Sequence, residues 1–143
     1  MSDYEGLSDE EVKATQDIFD GVPLFNIGAF FLPPIWGPGH GSWITVLWYP
    51  LWLLADNLIY AGYSQRTPLA IGLAILTLVL MVAITALFSR LMQVKAFTRA
   101  MMMGQTKEEY LAKERKWAIG CVIGGLVLLA AATYYNLFIR GGA

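Results

Sequence analysis

Asn26-Ile-Gly-Ala-Phe-Phe-Leu-Pro-Pro-Ile-Trp-Gly-Pro-Gly-His-Gly-Ser-Trp43 is aromatic, broken by glycine and proline, free of formal charge, and followed directly by a long apolar run. Its apolar content takes it out of water. Its prolines lack amide donors and its glycines weaken a helix, so it cannot leave water as one straight helix. The stretch therefore predicts a bent element that lies in a membrane interface or dips into the bilayer and returns. Irregular backbone at that depth survives only where protein or water satisfies it, which places the element against other helices.

Outward from this stretch, no Asp, Glu, Lys or Arg occurs between Gly21 and Ala55, more than the roughly 20 residues one helix needs to cross the hydrocarbon. Two elements must share it. Phe25 to Trp36 is expected to form one, broken at Pro33-Pro34, and Gly37-Pro-Gly-His-Gly41 a turn. A first span runs from Trp43 to about Tyr63, with aromatic residues toward both ends as interfacial belts require and a kink at Pro50. Pro68 to Ser89 is uncharged and rich in Leu, Ile, Val and Ala, a second span, continued by an amphipathic stretch to about Met103. Thr106-Lys-Glu-Glu109 has capping-box spacing and opens a helix, with a Glu109–Lys113 pair at i,i+4, that runs into a third span, Trp117 to about Ile139. Gly120 and Gly124 form a small-xxx-small pattern that allows close helix contact.

Of 143 residues, 57% are hydrophobic and 15% charged, against the quarter or so that covers a soluble surface. The fold class read from this is an all-α integral membrane protein: three transmembrane helices, the broken re-entrant or interfacial segment at 23–42, and short amphipathic cytoplasmic helices. An acidic N-terminal helix at 1–22 opens at Ser8-Asp-Glu-Glu11, also of capping-box spacing, with Leu7, Val12, Thr15 and Phe19 on one face. The acidic start does not resemble a secretory signal. Seven of the ten bases lie between Arg90 and Lys116, so the positive-inside rule expects that loop in the cytoplasm, the N-terminus inside and the C-terminus outside. The acidic helix and the basic loop then share a side and could pair. Cys121 stands alone, which excludes an intrachain disulfide and a thiolate metal site.

The first block resembles a group of small uncharacterised bacterial helical membrane proteins with the pattern Asn-x-Gly-Ala-Phe-Phe-Leu-x-x-Ile-Trp-Gly-x-Gly. It maps onto Asn26, Gly28, Ala29, Phe30, Phe31, Leu32, Ile35, Trp36, Gly37 and Gly39, followed by His40 and Trp43. A later block of the group looks like Glu109, Tyr110, Arg115, Lys116, Trp117, Ala118 and Ile119. Ile27 and His40 depart from the group's usual Trp and Asn, and Pro33, Pro34 and Pro38 are unusual in it. Some members carry a ribonuclease G label; these residues offer it neither a basic aromatic face nor a carboxylate cluster. The resemblance implies a helical membrane protein of unknown role, located, as a bacterial multi-pass protein would be, in the inner (cytoplasmic) membrane.

Three groups are candidates for chemistry. Asp56, a carboxylate inside a span, either binds a proton or cation or is bonded to Asn57, Arg66 or an indole. His40 either ligates the metal of haem or chlorophyll or is a hydrogen-bonded turn residue. Asn26, Trp36, Trp43, Gly120 and Gly124 are candidates for packing against partners or helices. No catalytic residue, metal site or nucleic-acid surface is legible. The expected function is a non-catalytic accessory or scaffold subunit of a larger membrane complex, or a homo-oligomer, in contact with lipids. The alternatives are a small transporter or channel component using Asp56, and a pigment- or haem-binding subunit of an electron-transfer complex through His40.

Overall fold

The computed structural model describes residues 8–142, and these contain helices and connections but no strand. Helix α1 (Asp9–Ile18) begins at the expected capping box: the Glu11 N–H donates to Ser8 Oγ at 3.3 Å, and the Ser8 N–H to Glu11 Oε2 at 2.8 Å. Asp3, Glu5 and Leu7, with the side chain of Thr15, lie outside the described residues. The Phe19 ring packs on Phe97 with centroids 5.1 Å apart, which docks the end of α1. The acidic segment and the basic loop meet just after α1, where Lys107 Nζ donates to the Asp20 carbonyl at 2.7 Å.

The segment at its centre is two short helices, α2 (Ile27–Phe31) and α3 (Pro33–Gly39). The break comes at Leu32 (φ −146°, ψ 61°), one residue ahead of the place expected. Pro33 and Pro34 open α3 rather than interrupt it, because a first-turn residue has no intrahelical amide bond to lose. Gly37–Gly39, expected as part of a turn, are the last residues of α3; the chain turns at His40–Ser42 instead, with Gly41 at φ +77°. A 3₁₀ turn at Trp43–Leu47 leads into α4 (Trp48–Gln65). Pro50 falls in the first turn of α4, just after the change from 3₁₀ to α geometry, where the amide it lacks has the least to lose.

Helices α4 and α5 (Pro68–Met102) form an antiparallel hairpin. It closes at Gly62, where an added Cβ would come within 2.6 Å of Ala74 Cβ, and it is tied by Trp48 Nε1 donating to Thr85 Oγ1 at 3.2 Å. The amphipathic stretch after Ser89 is no separate helix but the last turns of α5. Helix α6 (Lys107–Tyr134) likewise runs unbroken from its Thr106–Glu109 capping box into a π turn at Tyr135–Ile139. The Glu109–Lys113 pair does not form: Glu109 turns back to the Thr106 N–H instead.

Three helical stretches, Trp43–Gln65, Pro68–Met102 and Lys107–Ile139, are long and apolar enough to cross a membrane, as in a multi-pass membrane protein. The backbones of α5 and α6 approach each other only near Tyr110, which bonds Gln93 and packs on Phe97; elsewhere α2 lies between them. A Cβ on Gly125 would stand 2.9 Å from the Phe31 carbonyl oxygen and one on Gly124 3.0 Å from Leu32, so small residues of α6 receive the broken segment. Gly120 meets nothing within 4 Å. The core therefore gathers at the basic end of the bundle. There Ala29, Leu32 and Trp36 pack with Met92, Ala96, Phe97 and Ala100 of α5 and with Tyr110 and Cys121 of α6.

Candidate functional site

Within this core lies a set of polar groups drawn from three separate parts of the chain. Asn26 caps α2 by accepting the Ala29 N–H on Oδ1 at 2.9 Å. Its Nδ2 then points inward with two hydrogens, one to Gln93 Oε1 of α5 and one to Glu114 Oε2 of α6, both at 2.9 Å. Gln93 Oε1 also accepts from the Tyr110 hydroxyl at 2.7 Å, and its Nε2 donates to the Pro23 carbonyl at 3.0 Å. Glu114 Oε2 takes a second donor, Trp36 Nε1, at 3.1 Å. Each buried polar atom here has a partner, which removes the cost of one to several kcal/mol that an orphan would carry.

His40 completes the set. Its ring stacks on Trp36 with centroids 3.9 Å apart and planes 14° from parallel, and it meets the edge of Trp117 at 5.0 Å. Nδ1 lies 2.7 Å from the Trp36 carbonyl, which can only accept, so Nδ1 carries a hydrogen. Nε2 contacts Glu114 Oε1 in a short ion-pair geometry. Because Oε2 is already occupied by two donors, one proton lies on that Oε1–Nε2 contact, whichever atom holds it. Arg99 donates from Nη1 to the His40 carbonyl, and the absence of a Cβ at Gly41 gives the guanidinium room.

This arrangement decides what His40 can do where it stands. Both ring nitrogens face protein partners, so neither is presented to the metal of a haem or chlorophyll. Beside the pair is a cavity of about 150 Å³, bordered by His40, Arg99, Gln105, Tyr110, Lys113 and Glu114. That is well below the several hundred Å³ of a cofactor pocket. Among the described residues no group of three or more His, Cys, Asp or Glu side chains could hold a metal ion.

The other candidates lie elsewhere. Asp56 sits at the far end of the bundle, where Asn136 Nδ2 donates to its Oδ1 at 2.6 Å and Arg140 Nη1 lies 3.6 Å from Oδ2. Arg140 also covers the Tyr60 ring at 4.1 Å and donates to Asn57 Oδ1. The cluster ties α4 to the end of α6, and neither Arg66 nor an indole takes part in these bonds. Of the packing candidates, Asn26 and Trp36 are buried hubs inside the chain, whereas Trp43 is 71% exposed.

Reasoning from the sequence missed Gln93, Tyr110 and Glu114. Glu114 stands among bases in the sequence and reads as one more solvated charge. A signal was there: it shares a helix face with Tyr110 (i−4), Trp117 (i+3) and Cys121 (i+7), residues a helix turns toward its core. Gln93 is placed likewise, beside Phe97 and Ala96.

Set against family models, curated proteins and solved structures, the chain matches none of them.

Proposed function

We propose that this chain is a non-catalytic, membrane-embedded subunit that packs against a larger membrane assembly. In this reading the basic ends of α5 and α6 lie in the cytoplasm with the N-terminus, and the C-terminus lies outside, as the concentration of Lys and Arg there favours. The observation that carries it is how unevenly the chain uses its own surface. Its buried polar groups are consumed holding α2, α3, α5 and α6 together, while only 6% of the most apolar window of α5 and of α6, and 17% of that of α4, is buried within the chain.

An enzyme keeps a nucleophile or base with a free valence in a cleft. Here Glu114 and His40, the groups most suited to such a role, spend their hydrogen-bonding capacity on each other and on Asn26 and Trp36. The long, self-satisfied helices offer an apolar exterior instead, with a furrow of about 450 Å³ along Leu126, Ala130 and Phe138, lined by α6 and the π turn that follows it. Extraction in mild detergent followed by native mass spectrometry tests the reading. Recovery in a stoichiometric complex supports it, and recovery as a free monomer from its own membrane overturns it.

A further inference from the structure

The cavity beside His40 and Glu114 has two cations at its border that the buried network leaves largely unspent. Lys113 of α6 makes no hydrogen bond or ion pair with the described residues, since Glu109, its i−4 neighbour, is turned back into the capping box. Arg99 of α5 gives one Nη1 hydrogen to the His40 carbonyl, and its other guanidinium donors remain. Glu114, the one acid bordering the cavity, has Oε2 occupied by Asn26 and Trp36 and Oε1 by His40. Its carboxylate makes no hydrogen bond or ion pair with either base.

Position along the helices adds a second constraint. Toward its N-terminus α5 is uncharged from Pro68 to Ser89, and toward its C-terminus α6 is uncharged from Trp117 to Ile139. The cavity sits just beyond both runs, which in the proposed embedding is the level of the lipid headgroups of one leaflet. Met103, 64% exposed, supplies an apolar rim. Basic pockets between helices at this level are where anionic headgroups bind, and a guanidinium fork beside an ammonium matches a phosphate's several acceptor oxygens. At about 150 Å³ the space suits a single phosphate group rather than a cofactor.

We propose that the cavity between α3, α5 and α6 binds the phosphate of an anionic phospholipid through Arg99 and Lys113. The inference depends on membrane embedding and not on which assembly, if any, the chain joins. It is tested with the full chain purified in dodecyl maltoside and titrated with phosphatidylglycerol, with retained lipid counted by native mass spectrometry. Parallel titrations use phosphatidylcholine and inorganic phosphate. A base at a lipid surface contributes about fivefold in affinity. Lys113→Gln is thus expected to weaken phosphatidylglycerol retention about fivefold and Arg99→Gln/Lys113→Gln about thirtyfold. The control Lys95→Gln/Lys116→Gln, at bases outside the cavity, is expected to change it less than about twofold. Because Lys113 holds no protein partner, its variant reads binding even if loss of Arg99 loosens the His40 turn. Equal weakening by the control pair, or no weakening by Lys113→Gln, overturns the site. Displacement of the lipid by inorganic phosphate at comparable concentration assigns the cavity to a free oxyanion and overturns the lipid.

Discussion

Replacing Glu114 tests whether the polar core is held by its pattern of acceptors. In Glu114→Ala three donors lose their acceptor: Asn26 Nδ2, Trp36 Nε1 and His40 Nε2. His40 stays held through Nδ1 on the Trp36 carbonyl and borders the cavity, where water can meet Nε2. Two buried orphans remain, each costing about 1–3 kcal/mol, and removal of one member of a buried pair costs about 3–5 kcal/mol. Since the neighbouring cavity can admit water to the vacated space, the lower part of that range, about 3–4 kcal/mol, is expected. Glu114→Gln differs in kind. Its amide oxygen can take the Asn26 and Trp36 hydrogens, and its amide N–H can donate to a neutral Nε2, so the cost is about 1 kcal/mol. The two variants should then differ by about 2–3 kcal/mol, or about 30- to 150-fold in unfolding constant. Equilibrium unfolding of purified protein in mixed dodecyl sulfate and maltoside micelles, followed by tryptophan emission, measures the difference. An Ala variant within about 0.5 kcal/mol of wild type would refute the account. So would a Gln variant as damaged as Ala, since charge rather than acceptor geometry would then hold the core.

The same assay checks four further substitutions. Asn26→Asp exchanges two donors for lone pairs facing Gln93 and Glu114, so it should cost about 3–5 kcal/mol at neutral pH and recover in acid as the two carboxyls come to share a proton; a pH-independent loss would contradict this. Gly125→Ala should cost about 1–3 kcal/mol, because its Cβ meets the Phe31 carbonyl oxygen at 2.9 Å. Gly120→Ala, with open space around it, should gain up to about 1 kcal/mol, and the reverse order would place the helix contact at the wrong glycine. Asp56→Asn should cost less than about 1 kcal/mol, its pair with Arg140 being 3.6 Å long and about a third exposed. Liposomes carrying either form should pass protons no faster than empty ones, and a flux that Asp56→Asn abolishes would revive transport. Finally, the Ser8 backbone N–H and hydroxyl hold the Glu11 carboxyl below the usual carboxylate range. The cap is therefore complete at pH values above that range and is lost as pH falls through the lowered value. The protection of α1 amides, relative to their intrinsic exchange at each pH, should fall there in wild type and fall less in Glu11→Gln.

The three long helices were legible because they depend on properties that survive in one dimension: uncharged length, a Pro at the start of α5, and capping boxes at Ser8 and Thr106. The broken segment was legible for the same reason, though its break at Leu32 rather than at the prolines shows that proline specifies where a helix begins as readily as where it stops. What could not be read was which polar residues meet. Asn26, Gln93 and Glu114 are 67 and 88 residues apart as bonded partners, and no spacing rule connects them. The reading of Glu109–Lys113 as a pair failed because two local rules competed for one carboxylate, and the cap, with a backbone N–H to satisfy, won.

The glycines show how the two kinds of information join. Gly120 and Gly124 read as a helix-pairing motif, but the neighbour α6 acquires is α2, at Gly124 and Gly125. A helix entering between α5 and α6 brings its cap with it, and a capping Asn has two amide hydrogens left once its oxygen is used. Buried there, those hydrogens need acceptors from the flanking helices, and Gln93 and Glu114 are the ones within reach. The polar core is thus a consequence of inserting a short helix between two longer ones: its open start must be satisfied by the helices it separates. By the same logic His40, at the exposed end of α3, finds Glu114 rather than solvent, which is why one carboxylate serves both ends of the inserted segment.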